Sequence, residues 1–393
     1  MPHALAQAVE IATTALTVAG MGYFLAALVA AWIFLRERRR RHAALAPGVS
    51  ILKSLKGLDP GMLAAFRSHC RQTYTGEYEL LFGVAALDDP AVAAVHALQA
   101  EFPERAIRLV ECPERLGANG KVSTLVQLER HARYNILLIN DSDITVSPRY
   151  LERVMACFAP AADAQAKPVG MVTALYRGRA HGTLPSLLES LGIATDFQSG
   201  VLLSKVIEGG LHYGLGSTLA VTRPALEASG GLLPLVDQLA DDHELGVRID
   251  HAGYRVALCT EVVETSVPAY RWQGFVDHQV RWARTVRDAR PGGYAGLIFT
   301  HGLVWALLNV VASGVSPLSV WLLGLSFFLR LTLAMAVGAH VLSDRQVLPW
   351  LWLLPLRDAV AMGIWIAGFA ADTIVWRGER FALKHGRLSR IQQ

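Results

Sequence analysis

From Ala8 to Leu35 the chain is almost unbroken apolar residues, long enough to cross a bilayer as one tilted helix. A cleaved leader is the competing explanation. No basic stretch precedes the run and the run is too long for a leader, so a retained anchor is expected. Arg36-Glu37-Arg38-Arg39-Arg40-Arg41 follows at once, and basic residues flanking a first span keep that end in the cytoplasm. What comes next is therefore expected to be cytosolic. From Gly296 the sequence turns apolar again, in Gly296 to Gly314, Leu318 to Leu342 and Val347 to Trp376, broken by Ser316-Pro317 and Ser343-Asp344-Arg345. Three full spans would carry the C-terminus outside, whereas Arg377, Arg380, Lys384, Arg387 and Arg390 favour the cytoplasm. One segment is accordingly expected to be interfacial, re-entrant or split near Pro355. Arg330, Arg357 and Asp358 fall within these segments, where charges face protein, a cavity or the interface.

Composition agrees with membrane insertion: 52% of residues are hydrophobic and 18% charged. A formal net charge of +4, with arginines abutting a span, argues against nucleic acid as a partner and for contact with anionic lipid. Cys70, Cys112, Cys157 and Cys259 lack metal or redox spacing, which suits reduced thiols.

Residues 36–291 read as a soluble domain in which short β-rich runs alternate with helical stretches. Predicted strands are Val49 to Leu52, Tyr78 to Val84, Ile107 to Val110, Ile136 to Ile139 and Gly170 to Thr173. Ala91 to Glu101 and Val122 to Ala132 show helical spacing between them. An α/β fold follows, with a mostly parallel sheet and helices on both faces, flanked by membrane segments at 1–35 and 292–376 and closed by a basic tail, 377–393. Ligands of such sheets sit outside the carboxyl ends of the strands.

One apolar strand ends there in Asp141-Ser142-Asp143. Two carboxylates one residue apart can grip a divalent cation, and a cation so held can carry a nucleotide diphosphate. Asp-x-Asp is also common in turns and caps. Downstream, Asp241 and Asp242 open a helical stretch ending near Gly253. Helix capping explains one acid. For two, the expectation is that Asp242 is a general base for an attacking hydroxyl and Asp241 tunes it. In His278-Gln279-Val280-Arg281-Trp282, an arginine can bind a departing diphosphate and an indole can wall an acceptor pocket. Arg284, Arg287 and Arg290 at spacing three also fit a basic segment lying on the bilayer. Lys121, after Asn119-Gly120, and Lys53, after the first strand, could meet a phosphate or stay solvated. Tyr213-Gly214-Leu215-Gly216-Ser217-Thr218 reads as a tight turn bringing backbone close to a sugar. It is not a dinucleotide fingerprint, because the third glycine is absent.

These residues together resemble the ceramide glucosyltransferase family of membrane glycosyltransferases, which includes bacterial hopanoid-associated members. The matching segments are Pro47 to Gly57, Asp88-Asp89-Pro90-Ala91, Asp141-Ser142-Asp143-Ile144, Ala240-Asp241-Asp242, Arg281-Trp282 and Trp376-Arg377-Gly378, in the family's order along nearly the whole chain. The resemblance implies a GT-A fold and an inverting reaction, in which a lipid hydroxyl displaces UDP from an activated sugar. It makes Asp89, with Asp88, the first acidic motif, Asp141 the second and Asp242 the third and the base, with Arg281 and Trp282 closing the site. Asp143 exceeds the pattern, since animal members carry glycine there. His278 stands where the family usually has glutamine or arginine, Ala86 where relatives have aspartate, and Phe197 where animal ceramide enzymes have histidine.

The expected reaction moves glucose or N-acetylglucosamine from a UDP-sugar to a membrane lipid of the ceramide type, with a hopanoid polyol as the alternative acceptor. Mg2+ or Mn2+ on Asp141 and Asp143 would offset charge on the leaving UDP. Lys53, Lys121 and Arg281 join Asp88, Asp89 and Asp141 on the donor, and Trp282 and His278 meet the acceptor. Two other readings are a polysaccharide synthase, for which the spans are too few to form an export channel, and a non-catalytic membrane scaffold, which would place no demand on the acidic motifs.

Overall fold

The computed structural model describes residues 2–39, 45–160, 166–376, 379–384 and 386–391. Arg40 and Arg41 of the basic run, and Arg377 and Gly378 of the last motif, lie outside them. The chain forms two compact units. One comprises Met1–Arg38, Ala180–Ile207 and Ala269–Arg380; the other comprises Arg39–Arg179, Glu208–Pro268 and Phe381–Gln393.

The second unit is built on a seven-stranded sheet. Its strands are β1 (Val49–Ser54), β2 (Tyr78–Val84), β3 (Ala106–Glu111), β4 (Ile136–Ile139), β5 (Val169–Ala180), β6 (Leu219–Thr222) and β7 (Arg255–Val267), in the order β3-β2-β1-β4-β6-β5-β7. Strands β1 to β4 pair in parallel, with Val49 opposite both Tyr78 and Ile136. Helices Met62–Cys70, Ala91–Glu101 and Gly120–Glu129 fill the connections that parallel pairing requires. Residues on both faces of the central strands are apolar and buried, including Ile51, Leu52, Leu81, Phe82, Leu137 and Leu138, as in a sheet covered on two sides. Within this core Glu79 is fully buried and accepts hydrogen bonds from Ser50 and Arg108.

Beyond β4 the direction changes. β6 runs antiparallel to β4, with Ile139 opposite Leu219, and β5 antiparallel to β6. β5 is longer than its predicted core, and β6 and β7 are not among the predicted strands. β6 has only four residues between a glycine-rich turn and Pro224, too few for alternation to register. β7 mixes charged and apolar residues in the partly exposed pattern of an edge. The antiparallel turn places segment 213–218 at the carboxyl end of β4. Glu379–Lys384 and Arg387–Arg390 form an antiparallel pair in what the sequence presents as a basic tail, and Leu388 N donates to Asp237 O at 2.8 Å.

The first unit is helical. Among the described residues three helices, Ala4–Glu37, Pro317–Val341 and Leu348–Gly368, are long and apolar enough to cross a membrane. Pro291–Thr300 and Gly302–Ala312 form a pair bent by 56°, a broken span or re-entrant loop. The interruption therefore falls at Thr300 to Gly302 and not near Pro355, which sits harmlessly in the first turn of the helix Leu354–Gly368. That helix stops at Gly368, short of Trp376, and Thr373–Trp376 is a strand.

Close approach holds the helices together. A Cβ on Gly20 would lie 2.3 Å from Gly302 Cα, so both positions need glycine. Thr13 and Thr14 donate to Asn309 Oδ1 at 3.2 and 3.0 Å. The charges within the apolar segments face protein: Arg330 makes a bidentate pair with Asp358, both bonds 2.8 Å, and donates to Thr195 O at 3.0 Å. Leu184–Gly192, the π-helical turn Ile193–Phe197 and Gln198–Ile207 belong to this unit because their leucine-rich faces pack there.

Candidate active site

Asp141 begins the turn that follows β4, and three independent supports fix that turn. Asn140 is buried and donates to Ser217 O at 2.6 Å and Tyr150 Oη at 3.0 Å, joining the end of β4 to the segment before β6. Lys53, at the end of β1, is fully buried and donates to Asp141 O at 3.0 Å. Burial pushes its ammonium down to about 7 against the pull of Asp143 and Asp141. Lys53 thus holds the backbone of the turn from within the sheet. Asp143 Oδ2 accepts from Thr265 Oγ1 at 2.6 Å and Ser266 N at 2.8 Å, which anchors the far side of the turn to β7. Burial and the neighbouring Asp141 raise its carboxyl above the usual range. Ser142 bonds the Asp59 carboxylate in the loop after β1, an acid to which no sequence pattern points.

Opposite the turn, Asp241 and Asp242 open the helix Asp241–His251. Asp242 Oδ1 accepts from His243 N at 2.8 Å, an N-terminal helix contact, while Oδ2 accepts from Gly216 N at 2.7 Å. Gly216 is the meeting point: a Cβ there would lie 3.1 Å from Asp242 Oδ2 and 3.5 Å from Asp141 Oδ2. The glycine keeps a cleft between two carboxylates that any other residue would fill. Gly214 and Gly246 let the helix close on this segment, since a Cβ on Gly246 would lie 2.4 Å from Gly214 N. Lys121, in the first turn of the helix Gly120–Glu129, joins the two acidic motifs at 2.7 Å from Asp141 Oδ1 and 3.5 Å from Asp241 Oδ2. Burial opposes its charge, but Asp141 and Asp241 outweigh it and hold the ammonium protonated. Asn119 caps that helix at Val122 N and also donates to Asp241 Oδ1 at 3.2 Å. Its signal in the sequence is a capping residue directly before Gly120-Lys121. Burial and Asp241 push Asp242 up to about 6, with Lys121 pulling the other way.

Asp88 and Asp89 lie after β2 at the same end of the sheet. Asp89 accepts from Gly57 N at 3.0 Å and Ala91 N at 2.8 Å, so it ties the loop after β1 to the helix Ala91–Glu101, while Asp88 is exposed.

Among the described residues no three His, Cys, Asp or Glu side chains gather as a metal cluster. The donor set nevertheless suits a hard cation in a phosphate site, where one or two carboxylates complete a shell of phosphate oxygens and water. Asp141, whose Oδ2 lies beside the Gly216 cleft, and Asp143 on the same turn are the residues that would supply those oxygens.

His278, Arg281 and Trp282 lie in the first unit, on the helix Trp272–Ala289. Buried Glu189 Oε2 accepts from His278 Nδ1 and Gln279 Nε2, both at 3.1 Å. His278 packs between Tyr270 and Trp282, with ring centroids at 5.4 and 4.9 Å, and Phe197 lies 6.3 Å from Trp282. Arg287 donates to the Gly368 and Ala371 carbonyls at 2.6 and 3.2 Å, and Arg284 to Thr373 O. Arg287 thus satisfies the last carbonyl of the helix Leu354–Gly368, and Arg284 meets the first residue of the strand Thr373–Trp376.

Comparison with known proteins accords with this architecture. The chain is 24% identical over 354 residues to ceramide glucosyltransferase 3 of Caenorhabditis elegans, covering 86% of this chain and 73% of that one. It is 23% identical to an N-acetylglucosaminyltransferase of Sinorhizobium fredii, covering 84% and 76%. Among solved structures, the mannosyltransferase of Pyrobaculum calidifontis in complex with GDP-Man and Mn2+ superimposes with a TM-score of 0.54 at 22% identity, over 93% of this chain and 98% of that one, a likeness in fold. A model of glycosyl transferase family 21 matches residues 12–389. Spanning almost the whole chain, that match makes this protein a member of glycosyl transferase family 21, a sugar-transferring enzyme on a GT-A fold.

Proposed function

We propose that the protein transfers glucose or N-acetylglucosamine from a UDP-sugar to a hydroxyl of a membrane lipid of the ceramide type, with inversion at the sugar carbon. The observation that carries this reading is the Gly216 cleft, where the Asp242 and Asp141 carboxylates face each other with Lys121 binding Asp141. Asp242 Oδ2 takes the proton of the acceptor hydroxyl as the hydroxyl oxygen bonds the anomeric carbon. The bond from that carbon to the UDP oxygen breaks, and UDP leaves with the electron pair. A carboxyl titrating near 6 is ionised at neutral pH yet basic enough for the task. Lys121 offsets the Asp141 carboxylate and so lowers the negative charge that the arriving diphosphate meets. A divalent cation bound by Asp141 and Asp143 would stabilise charge on the leaving diphosphate.

The lipid acceptor is supported by the ceramide glucosyltransferase relatives and by three helices able to cross a membrane. The choice between two sugars is supported by the names of the relatives. On their family motif, Arg281 is assigned to the departing diphosphate and Trp282 to the acceptor. The catalytic unit is assigned to the cytoplasm on the arginines that follow the first span. Purified protein in nanodiscs, given a matrix of UDP-sugars with ceramide and with a hopanoid polyol, should yield one glycolipid with an inverted anomeric centre. Absence of any lipid product, retention of configuration, or a long polymer would each overturn the reading.

A further inference from the structure

The C-terminal strands take no part in the chemistry described so far, yet they belong to the unit that holds the acids. Residues 381–384 pair antiparallel with Arg387–Arg390, and Phe381, Leu383 and Leu388 are buried. The strand Arg387–Arg390 has a further neighbour. Leu388 N donates to Asp237 O at 2.8 Å and Leu239 N to Gly386 O at 3.0 Å, an antiparallel bridge between Arg387 and Gln238. Segment 236–239 is thereby clamped along one edge. Its other edge holds the start of the helix that carries Lys121: Asn119 N donates to Val236 O at 2.7 Å, Ala118 N to Asp237 Oδ1 at 2.8 Å and Asn119 Nδ2 to Gln238 O at 2.8 Å. Ala240, Asp241 and Asp242 follow directly in the chain. Asn119 closes the circuit, because its amide also reaches Asp241 Oδ1 and its Oδ1 caps the helix at Val122 N, the residue after Lys121. Segment 236–239 is part of no helix or named strand, so its place depends on these bonds.

We propose that the C-terminal strand Arg387–Arg390 is a positioning element of the active site: it holds segment 236–239, which sets Asn119 and so places Lys121 and Asp241 beside the Gly216 cleft. This deepens the sugar-nucleotide reading and rests on it. Lys121 bonds Asp141, the acid assigned to the diphosphate, so the effect of the strand falls on the donor.

Leu388→Pro removes the N–H that bonds Asp237 O, and pairing within the C-terminal strands uses other N–H groups. Leu388→Ala removes the packing and keeps the N–H, so the excess effect of proline over alanine isolates the bond. That excess should be a rise in KM for the UDP-sugar of about three- to tenfold, the worth of one hydrogen bond, with KM for the lipid unchanged. A strand that served only to keep the chain folded would act through the folded fraction, which lowers apparent kcat and leaves both KM values alone. Equal KM for the UDP-sugar in the two variants, or a parallel rise in both KM values, would overturn the proposal. Because either variant can fail to fold, amide hydrogen exchange on the wild-type chain without substrate is a second readout. The amides of Leu239, Leu388 and Asn119 should be protected together, as members of one opening unit. Exchange of Leu239 and Leu388 at the rate of an open chain, with Asn119 still protected, would refute the positioning role. That measurement needs no donor, so failure of the sugar-nucleotide reading shows as missing turnover with the three amides protected together.

Discussion

Replacing Asp242 by asparagine separates the base from its surroundings, and the structure sets the size of each effect. Both carboxylate oxygens accept from backbone N–H groups, Gly216 at 2.7 Å and His243 at 2.8 Å. An asparagine can satisfy one; its amide NH2 then faces the other N–H, at a cost of about 1–3 kcal/mol. Against this, the amide no longer asks a buried site to hold a charge. The carboxyl titrates at about 6 in the folded chain against an ordinary 3.8. Because the folded value is the higher, this group favours the folded state most below the unfolded value, and that contribution is lost as pH rises through about 6. The two effects oppose each other at neutral pH, so the variant should stay folded, within about 2 kcal/mol of wild type. Turnover should fall by about 10²–10⁴, the range for loss of a general base, or roughly 3–5 kcal/mol of barrier. The pH profile is the sharper test. Wild-type kcat should drop about tenfold per unit below pH 6 as Asp242 protonates, and Asp242→Asn should lose that limb. Steady-state UDP release across pH 5 to 9, with thermal unfolding as the fold control, measures both. Turnover near the wild-type rate, or an acid limb that survives the substitution, would refute the assignment.

Lys121→Ala removes the cation that pulls Asp242 down, so the acid limb should move to higher pH by about one unit, as expected for loss of a nearby opposite charge; an unmoved limb in the same UDP-release assay would show that Lys121 does not act on the base. Asp143→Ala should raise the half-saturating Mn2+ concentration about tenfold or more, and full activity in chelator would dismiss the cation altogether. In the membrane unit, Arg330→Ala strands the Asp358 carboxylate and should cost about 3–5 kcal/mol in detergent-phase unfolding, whereas Arg330→Met with Asp358→Leu should recover most of that; a single variant costing under about 1 kcal/mol would mean that the pair is not buried as described.

The parallel half of the sheet was legible because its strands are continuous apolar runs between helical stretches. β2 and β4 match their predicted limits, and Ala91–Glu101 forms the predicted helix. The antiparallel half was not, since β6 is too short for periodicity and β7 alternates imperfectly along an edge. Spacing identified Asp141, Asp143, Asp241 and Asp242 as candidate site acids but could not divide their labour. Asp143 turns toward Thr265 and Ser266, and Asp241 toward Lys121 and Asn119, while Asp242 faces Gly216. Lys53 reads as a possible phosphate ligand in sequence, and only its burial shows that it props the Asp141 backbone.

By itself, then, the sequence determined which segments are apolar enough to enter a bilayer, the α/β alternation between them, and the set of acids at strand and helix ends. These are local properties, carried by hydropathy and period. Only the tertiary structure decided that Gly216, 75 residues from Asp141 in sequence, keeps the cleft between Asp141 and Asp242 open. It also decided that the broken helix bends at Thr300 to Gly302. Each of those depends on which distant backbone comes within hydrogen-bonding or van der Waals distance, and no periodicity along one chain encodes that contact.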